Sequence, residues 1–407
     1  MPELSGTVLI AGAGLAGSRC AEALRAGGHR GRILVMGEEA LAPYERPALS
    51  KGFLAGRQSG PSLELRDRSH WPALGIELAT DGRIAAIDSR GAATTAQGST
   101  IEWDCLVLAT GARSRRMPGD DRPGVHRLRT LADAAALRRD LRAGRRLVII
   151  GAGFIGLEVA STARALGLDV TVVTRDEVPL ARVAGPAIGA LVAERARAAG
   201  VRLLVGATGA TLCGEAGGRI ECVSLDGGGE VPCDVALVAI GAEPASELSL
   251  GLAPLAGDGG IATDAAGRTD QERVFACGDV ASPWRPWLGD CRSIGHWTSA
   301  AVSARAVAAA ILGAPAVGPD LPYAWSDAFG WRLQLVGGPP PVGAELVLHA
   351  WADGFEGSYR IGGELCCAVV ANHPQRMASL RRELGPTWEH KFGENPGYGR
   401  ETGTSPR

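Results

Sequence analysis

The sequence has no Cys-x-x-Cys pair among its nine cysteines, no apolar run of membrane-spanning length and no surplus of positive charge. Each absence removes a class of function. Cys20, Cys105, Cys213, Cys222, Cys233, Cys277, Cys291, Cys366 and Cys367 are scattered without zinc or iron–sulfur spacing, so reduced, mostly packed thiols and no bound metal are expected. The adjacent Cys366 and Cys367 would point to opposite faces of a strand, which disfavours a redox pair. The apolar residues near Met1 are interrupted by glycines and follow no basic segment, so the expectation is a cytosolic protein with no membrane partner. A net charge of −2 argues against nucleic acid as the main partner. The arginines clustered at 113–116 and 138–146 read as solvated faces.

What is present is a globular composition, 46% hydrophobic and 21% charged, over 407 residues, enough for two or three domains. Residues 8–24 read VLIAGAGLAGSRCAEAL, an apolar strand followed by Gly-x-Gly-x-x-Gly and a helix-like run. Gly12 permits the tight turn, Gly14 lets a pyrophosphate approach the backbone, and Gly17 lets the helix pack on the strand. Free N–H groups at the helix start then face an anion. Glu38 stands about where a ribose-binding acid belongs, after a second strand.

The device recurs. Residues 146–150 form a strand, Gly151, Gly153 and Gly156 repeat the triplet, a helix starts near Phe154, and 169–173 read as the next strand. Two copies imply two nucleotides, most economically a bound flavin dinucleotide reduced by a nicotinamide dinucleotide. Strand-then-glycine segments at 105–116 and 235–244 are placed to carry the chain between two domains. In RVFACGDVA, Asp279 follows a short strand and precedes an expected helix start, where cap and ligand roles are compatible.

With APYERPALSKGFL (42–54), ATGARSRR, GAGFIGLE, AIGAEP, ACGDVA, GHWTSA and YAWSDAFGWRLQLVG (323–337), the chain resembles the FAD-dependent ferredoxin reductases of bacterial P450s and ring-hydroxylating dioxygenases. The motifs run in family order from about residue 8 to about 382. The resemblance implies an α/β fold with two Rossmann-like, glutathione-reductase-like dinucleotide-binding domains and a small C-terminal α+β domain. FAD would occupy 1–115 with 245–318, NAD(P) 116–244, and the C-terminal domain 319–390, with 391–407 a disordered tail.

Carried over by position, Glu38 would hold the adenosine ribose, Arg46 and Lys51 would lie along FAD, and Ile84 would flank the adenine. Arg129 and Asp279 would contact the same cofactor, and Trp297 would stand beside the flavin ring. Glu158 would lie near the nicotinamide. Lys51, Glu158 and Trp297 are the expected catalytic residues. Ala16, Ala109, Thr110, Gly111, Ile155, Gly241 and Gly278 complete the expected cofactor-binding set. The resemblance further implies electron transfer from NADH or NADPH through FAD to a small iron–sulfur ferredoxin, which feeds a P450 or Rieske oxygenase.

Two departures stand out. NAD-using relatives carry an acid directly after the second strand of the nicotinamide domain, whereas this chain has Thr174 and Arg175, which suit a 2′-phosphate. The ATGARSRR segment also has arginine where relatives often have proline. Other readings are a disulfide reductase, disfavoured because 42–54 contains no cysteine; a monodehydroascorbate-type reductase; and a non-catalytic flavoprotein like the apoptosis-inducing factors.

Overall fold

The computed structural model describes residues 5–285, 288–315 and 321–392. Its architecture is the expected α/β one. Short runs of Val, Ile and Leu form two five-stranded sheets, each paired in parallel throughout. The first has the spatial order Val274–Ala276, Cys105–Leu108, Val8–Ala11, Ile33–Met36, Ile76–Ala79. The second runs Arg202–Leu204, Asp169–Val173, Arg146–Ile150, Val235–Val238, Val125–His126. Central strands such as Val8–Ala11 are buried along their whole length, as a parallel sheet covered on both faces requires.

In both sheets the central strand leads through a glycine turn into a helix, Leu15–Ala26 or Phe154–Ala165. Ala16, Cys20, Ala21 and Leu24 of the first helix share a core with Ala304, Val307, Ala308 and Ile311 of helix Trp297–Leu312. The edge strand Val274–Ala276 of the first sheet follows the whole second sheet in sequence, so the chain crosses twice. The crossings lie side by side as an antiparallel ribbon of Ala112–Ser114 with Ala242–Pro244. Arg113 pairs with Glu243 at 2.7 Å and with Glu247, and Arg115 donates Nε to the Ala242 carbonyl at 3.1 Å. Arg113 and Arg115 therefore brace this ribbon.

The C-terminal sheet is antiparallel, in the order Tyr323–Ala328, Trp331–Gly337, Glu364–Ala371, Phe355–Ile361, Glu345–Ala350. Helix Pro374–Phe392 covers it through Met377, Leu380, Leu384 and Trp388. That helix takes in the first two residues expected in the tail. The rest of the expected tail, and the expected domain boundary at 318/319, lie outside the described residues.

One expectation fails. Asp279 does not open a helix: Gly278–Val280 is a single 3-10 turn that leads into strand Ala281–Arg285. Pairing of that strand with Ile261–Thr263, and the Ser282 hydroxyl donating to Asp258 at 2.8 Å, hold the chain extended. The next helix starts only at Trp297. Among the described residues, no helix is long and apolar enough to cross a membrane.

Candidate functional site

The two glycine triplets separate internal packing from ligand space. A Cβ on Gly12 would strike the Ala109 carbonyl, and one on Gly151 the Ala239 carbonyl. Gly12 and Gly151 also have φ of +120° and +113°, so both first glycines are required by the fold itself. Third glycines are equally constrained, since a Cβ on Gly17 or Gly156 would strike the carbonyl of the first glycine in its own triplet. The middle glycines differ: a Cβ on Gly14 or Gly153 meets nothing within 4 Å. Both are helix N-caps without a side-chain cap, so the first-turn amides open onto that space. A cradle of bare amides over a gap the protein does not fill suits a pyrophosphate at each loop.

Around the first loop, the expected residues come together through partners that sequence reasoning missed. Glu38 is exposed, with no hydrogen-bond or ion-pair partner for its carboxylate among the described residues, whereas Glu39 accepts from Arg46 at 2.6 Å and from the Tyr44 hydroxyl at 2.6 Å. Arg46 also donates to the Arg129 carbonyl at 2.7 Å. The Arg129 side chain in turn holds Asp279 at 2.7 Å. Arg129 Nε is buried without a partner, an orphaned donor on the path a cofactor would take. Ile84 and Ala109 are buried, and Thr110 donates its hydroxyl to the Ala245 carbonyl at 2.6 Å. Gly111, with φ of +75°, approaches Arg129, and a Cβ on Gly278 would strike Ala16.

Lys51 and Glu158, expected beside different cofactors, form an ion pair at 2.7 Å. Glu158 lies on helix Phe154–Ala165 with a side chain only 6% exposed. Its Oε2 accepts from Lys51 and from Ser50 Oγ at 2.5 Å, and its Oε1 accepts from Ser326 Oγ at 2.7 Å. Lys51 also donates to the Pro47 carbonyl at 3.0 Å. A buried carboxylate with an ammonium and two hydroxyl donors is fully compensated, which is what burial of a charge demands. Trp297, half-buried at the start of its helix, meets Trp325 edge-on with ring centroids 5.8 Å apart. Ser50, Ser326 and Trp325 had no signal of their own; they lie inside the family motifs, and only the fold brings them to these partners.

The second loop is more open. Ile155, in the first turn after Gly153, is 43% exposed and Ile240, after the carbonyl that covers Gly151, is 39% exposed, two large apolar side chains left uncovered at this loop. Gly241, in the same return segment, has φ of +104°. Thr174 is buried and accepts from the Asp176 amide at 3.4 Å. Arg175 is exposed and makes no ion pair among the described residues, and Asp176 is engaged by Arg182 at 3.0 Å.

All nine cysteines are free thiols. Burial pushes Cys105 up to about 12, and the Cys277 contact together with burial raises Cys20 well above the usual thiol range. These thiols stay protonated near neutrality and are poor nucleophiles. Among the described residues no cluster of His, Cys, Asp or Glu could hold a metal.

The chain is similar to known proteins over most of its length. The chain is 40% identical over 334 residues to the biphenyl dioxygenase system ferredoxin–NAD(+) reductase component of Paraburkholderia xenovorans, covering 81% of each chain. It is 36% identical over 379 residues to the benzene 1,2-dioxygenase system ferredoxin–NAD(+) reductase subunit of Pseudomonas putida, covering 92% of this chain and 91% of the relative. Its fold superposes on putidaredoxin reductase from a covalent complex with putidaredoxin, with a TM-score of 0.86 and 31% identity over 93% of this chain and 92% of that one. A ferredoxin reductase from Rhodopseudomonas palustris gives 0.87 and 35% over 93% and 95%. The sequence profile of the pyridine nucleotide-disulphide oxidoreductases matches residues 6–304, across both glycine loops and both parallel sheets. The chain belongs to that family.

Proposed function

We propose that this protein is an FAD-dependent ferredoxin reductase, passing electrons from a reduced nicotinamide dinucleotide to a small iron–sulfur protein that serves a P450 or Rieske oxygenase. The observation that carries the reading is the pair of glycine loops in which only Gly14 and Gly153 face space that the protein leaves open. The relatives named as ferredoxin–NAD(+) reductases support the acceptor class. A flavin accepts a hydride and releases electrons one at a time, so no protein nucleophile is needed.

The chain's own residues bind and orient. The amides after Gly14 receive the flavin pyrophosphate, Glu38 takes the adenosine ribose, and Arg129 presents Asp279 to the ribityl chain. Lys51 places its ammonium along the flavin, where positive charge favours the reduced, anionic form. Glu158 holds Lys51, and Trp297 closes the ring site. The second loop takes NADH, and Thr174 with Arg175 also admits NADPH. The protein works in the cytosol, without a membrane or nucleic acid partner.

The test is direct. Purified protein is expected to be yellow and to release FAD on denaturation. Stopped-flow mixing with NADH should bleach the flavin, and subsequent mixing with a [2Fe–2S] ferredoxin should restore its colour far faster than oxygen does. Colourless protein that cannot be reconstituted with FAD would overturn the reading. Slow reoxidation with a persistent long-wavelength band would instead favour a non-catalytic flavoprotein.

A further inference from the structure

Three separate stretches of chain converge on the Glu158 carboxylate: Ser50 and Lys51 from the first glycine-loop unit, Glu158 itself from the second, and Ser326 from the C-terminal sheet. Ser326 sits in strand Tyr323–Ala328, whose residues alternate between half-buried and buried. Its neighbours on the buried face are Ala324 and Ala328, so packing alone calls for another small apolar residue there. Ser326 is 1% exposed, and its hydroxyl donates to Glu158. Buried hydroxyls need such a partner.

The placement matters because the last torsion of a glutamate is broad. A donor on one oxygen alone leaves the carboxylate plane free to turn. Lys51 and Ser50 occupy Oε2, and Ser326 occupies Oε1, so the plane is held from both sides. The helix carrying Glu158 is tied in the same two directions one turn further on. Thr162 donates to the Ser50 carbonyl at 2.8 Å, and Ser161 accepts from the Phe329 amide at 2.8 Å.

We propose that Ser326 is a positioning residue: by holding Oε1 it fixes the Glu158 carboxylate so that Oε2 sets the place of the Lys51 ammonium, and the C-terminal sheet thereby completes the flavin site. The proposal rests on the reading of Lys51 as a flavin-side group. It makes Ser326 act through Glu158 on Lys51 and on nothing else.

The sequence contains two lysines, Lys51 and Lys391, so acylation of the Lys51 amine can be followed by peptide mass spectrometry with Lys391 as internal reference. The holoenzyme is compared with Ser326→Ala, Ser326→Thr, Lys51→Met and the Ser326→Ala/Lys51→Met double variant. In Ser326→Ala, Lys51 is expected to acylate at least about threefold faster relative to Lys391, as loss of a bond to a charged acceptor loosens the pair. The limiting rate of flavin reduction by NADH should fall about five- to tenfold, with the NADH dissociation constant within about twofold of wild type. Ser326→Thr keeps the hydroxyl and should stay within about twofold of wild type on both measures. On the Lys51→Met background, Ser326→Ala should change the reduction rate by less than about 1.5-fold, because coupled residues are not additive.

If Ser326→Ala does not fold, Ser326→Cys, which keeps the volume and weakens the donor, takes its place with the same expected outcomes. Wild-type acylation and reduction rates in Ser326→Ala, or an equal slowing on the Lys51→Met background, would overturn the proposal alone. A wild-type flavin that NADH cannot reduce would overturn the functional reading with it.

Discussion

Arg175 is exposed, with no ion-pair partner among the described residues, while its neighbour Asp176 is occupied by Arg182, so positive charge faces solvent after the strand Asp169–Val173. The buried Thr174 stands where a carboxylate would take the ribose hydroxyls and repel a 2′-phosphate. NADPH is therefore expected to be used at least as well as NADH, in contrast to relatives whose names specify NAD(+). Arg175→Ala should lower kcat/KM for NADPH about tenfold with little effect on NADH, the loss of one charge-assisted contact. Thr174→Glu should restore discrimination against NADPH by a comparable factor. Steady-state kinetics with both nucleotides on the three proteins decides the matter. A wild type that strongly prefers NADH, with a ratio unmoved by Arg175→Ala, would remove the phosphate site from the account.

At the scale of elements, the two glycine loops share one internal logic and should differ only in what they hold. Gly14→Val places methyl groups in the open space at the first loop and should yield a folded but colourless protein. Gly153→Val does the same at the second loop and should stay yellow, while the limiting rate or apparent affinity for NADH worsens by about 100-fold or more. Absorbance at the flavin band and stopped-flow reduction separate the two. If Gly153→Val also loses its colour, the assignment of one nucleotide to each loop fails.

The loops were legible because their requirements are local: a buried strand, a carbonyl against a missing Cβ and an uncapped helix start all follow one another along the chain. Asp279 was misread because a strand, a glycine and an aspartate are also the signature of a helix start. Pairing with Ile261–Thr263, more than fifteen residues upstream, keeps that chain extended instead. The Lys51–Glu158–Ser326 cluster was only half legible. Lys51 and Glu158 sit in recognisable motifs, but their 2.7 Å contact and the serine that steadies it join positions far apart in sequence.

On the scale of the whole molecule, a net charge of −2 gives no long-range pull on an acidic ferredoxin, so any steering must come from local arginines. The structure ranks two candidates. Arg292 is engaged by Asp290 at 3.1 Å, so its field is partly cancelled. Arg332 stands exposed on strand Trp331–Gly337, and among the described residues its guanidinium has no ion-pair partner. Ferredoxin reduction is expected to slow about three- to tenfold as salt rises from low to several hundred millimolar, because exposed charges are screened beyond about 10 Å or less. Flavin reduction by NADH, an event inside the protein, should hardly change over the same range. Arg332→Glu should lower the low-salt ferredoxin rate and flatten its salt dependence, and Arg292→Glu should do so more weakly. The check is kcat/KM for an acidic ferredoxin against ionic strength for the three proteins. A salt-independent wild-type rate would mean that the partner docks through apolar contact, leaving the reductase chemistry intact and removing the arginines from recognition.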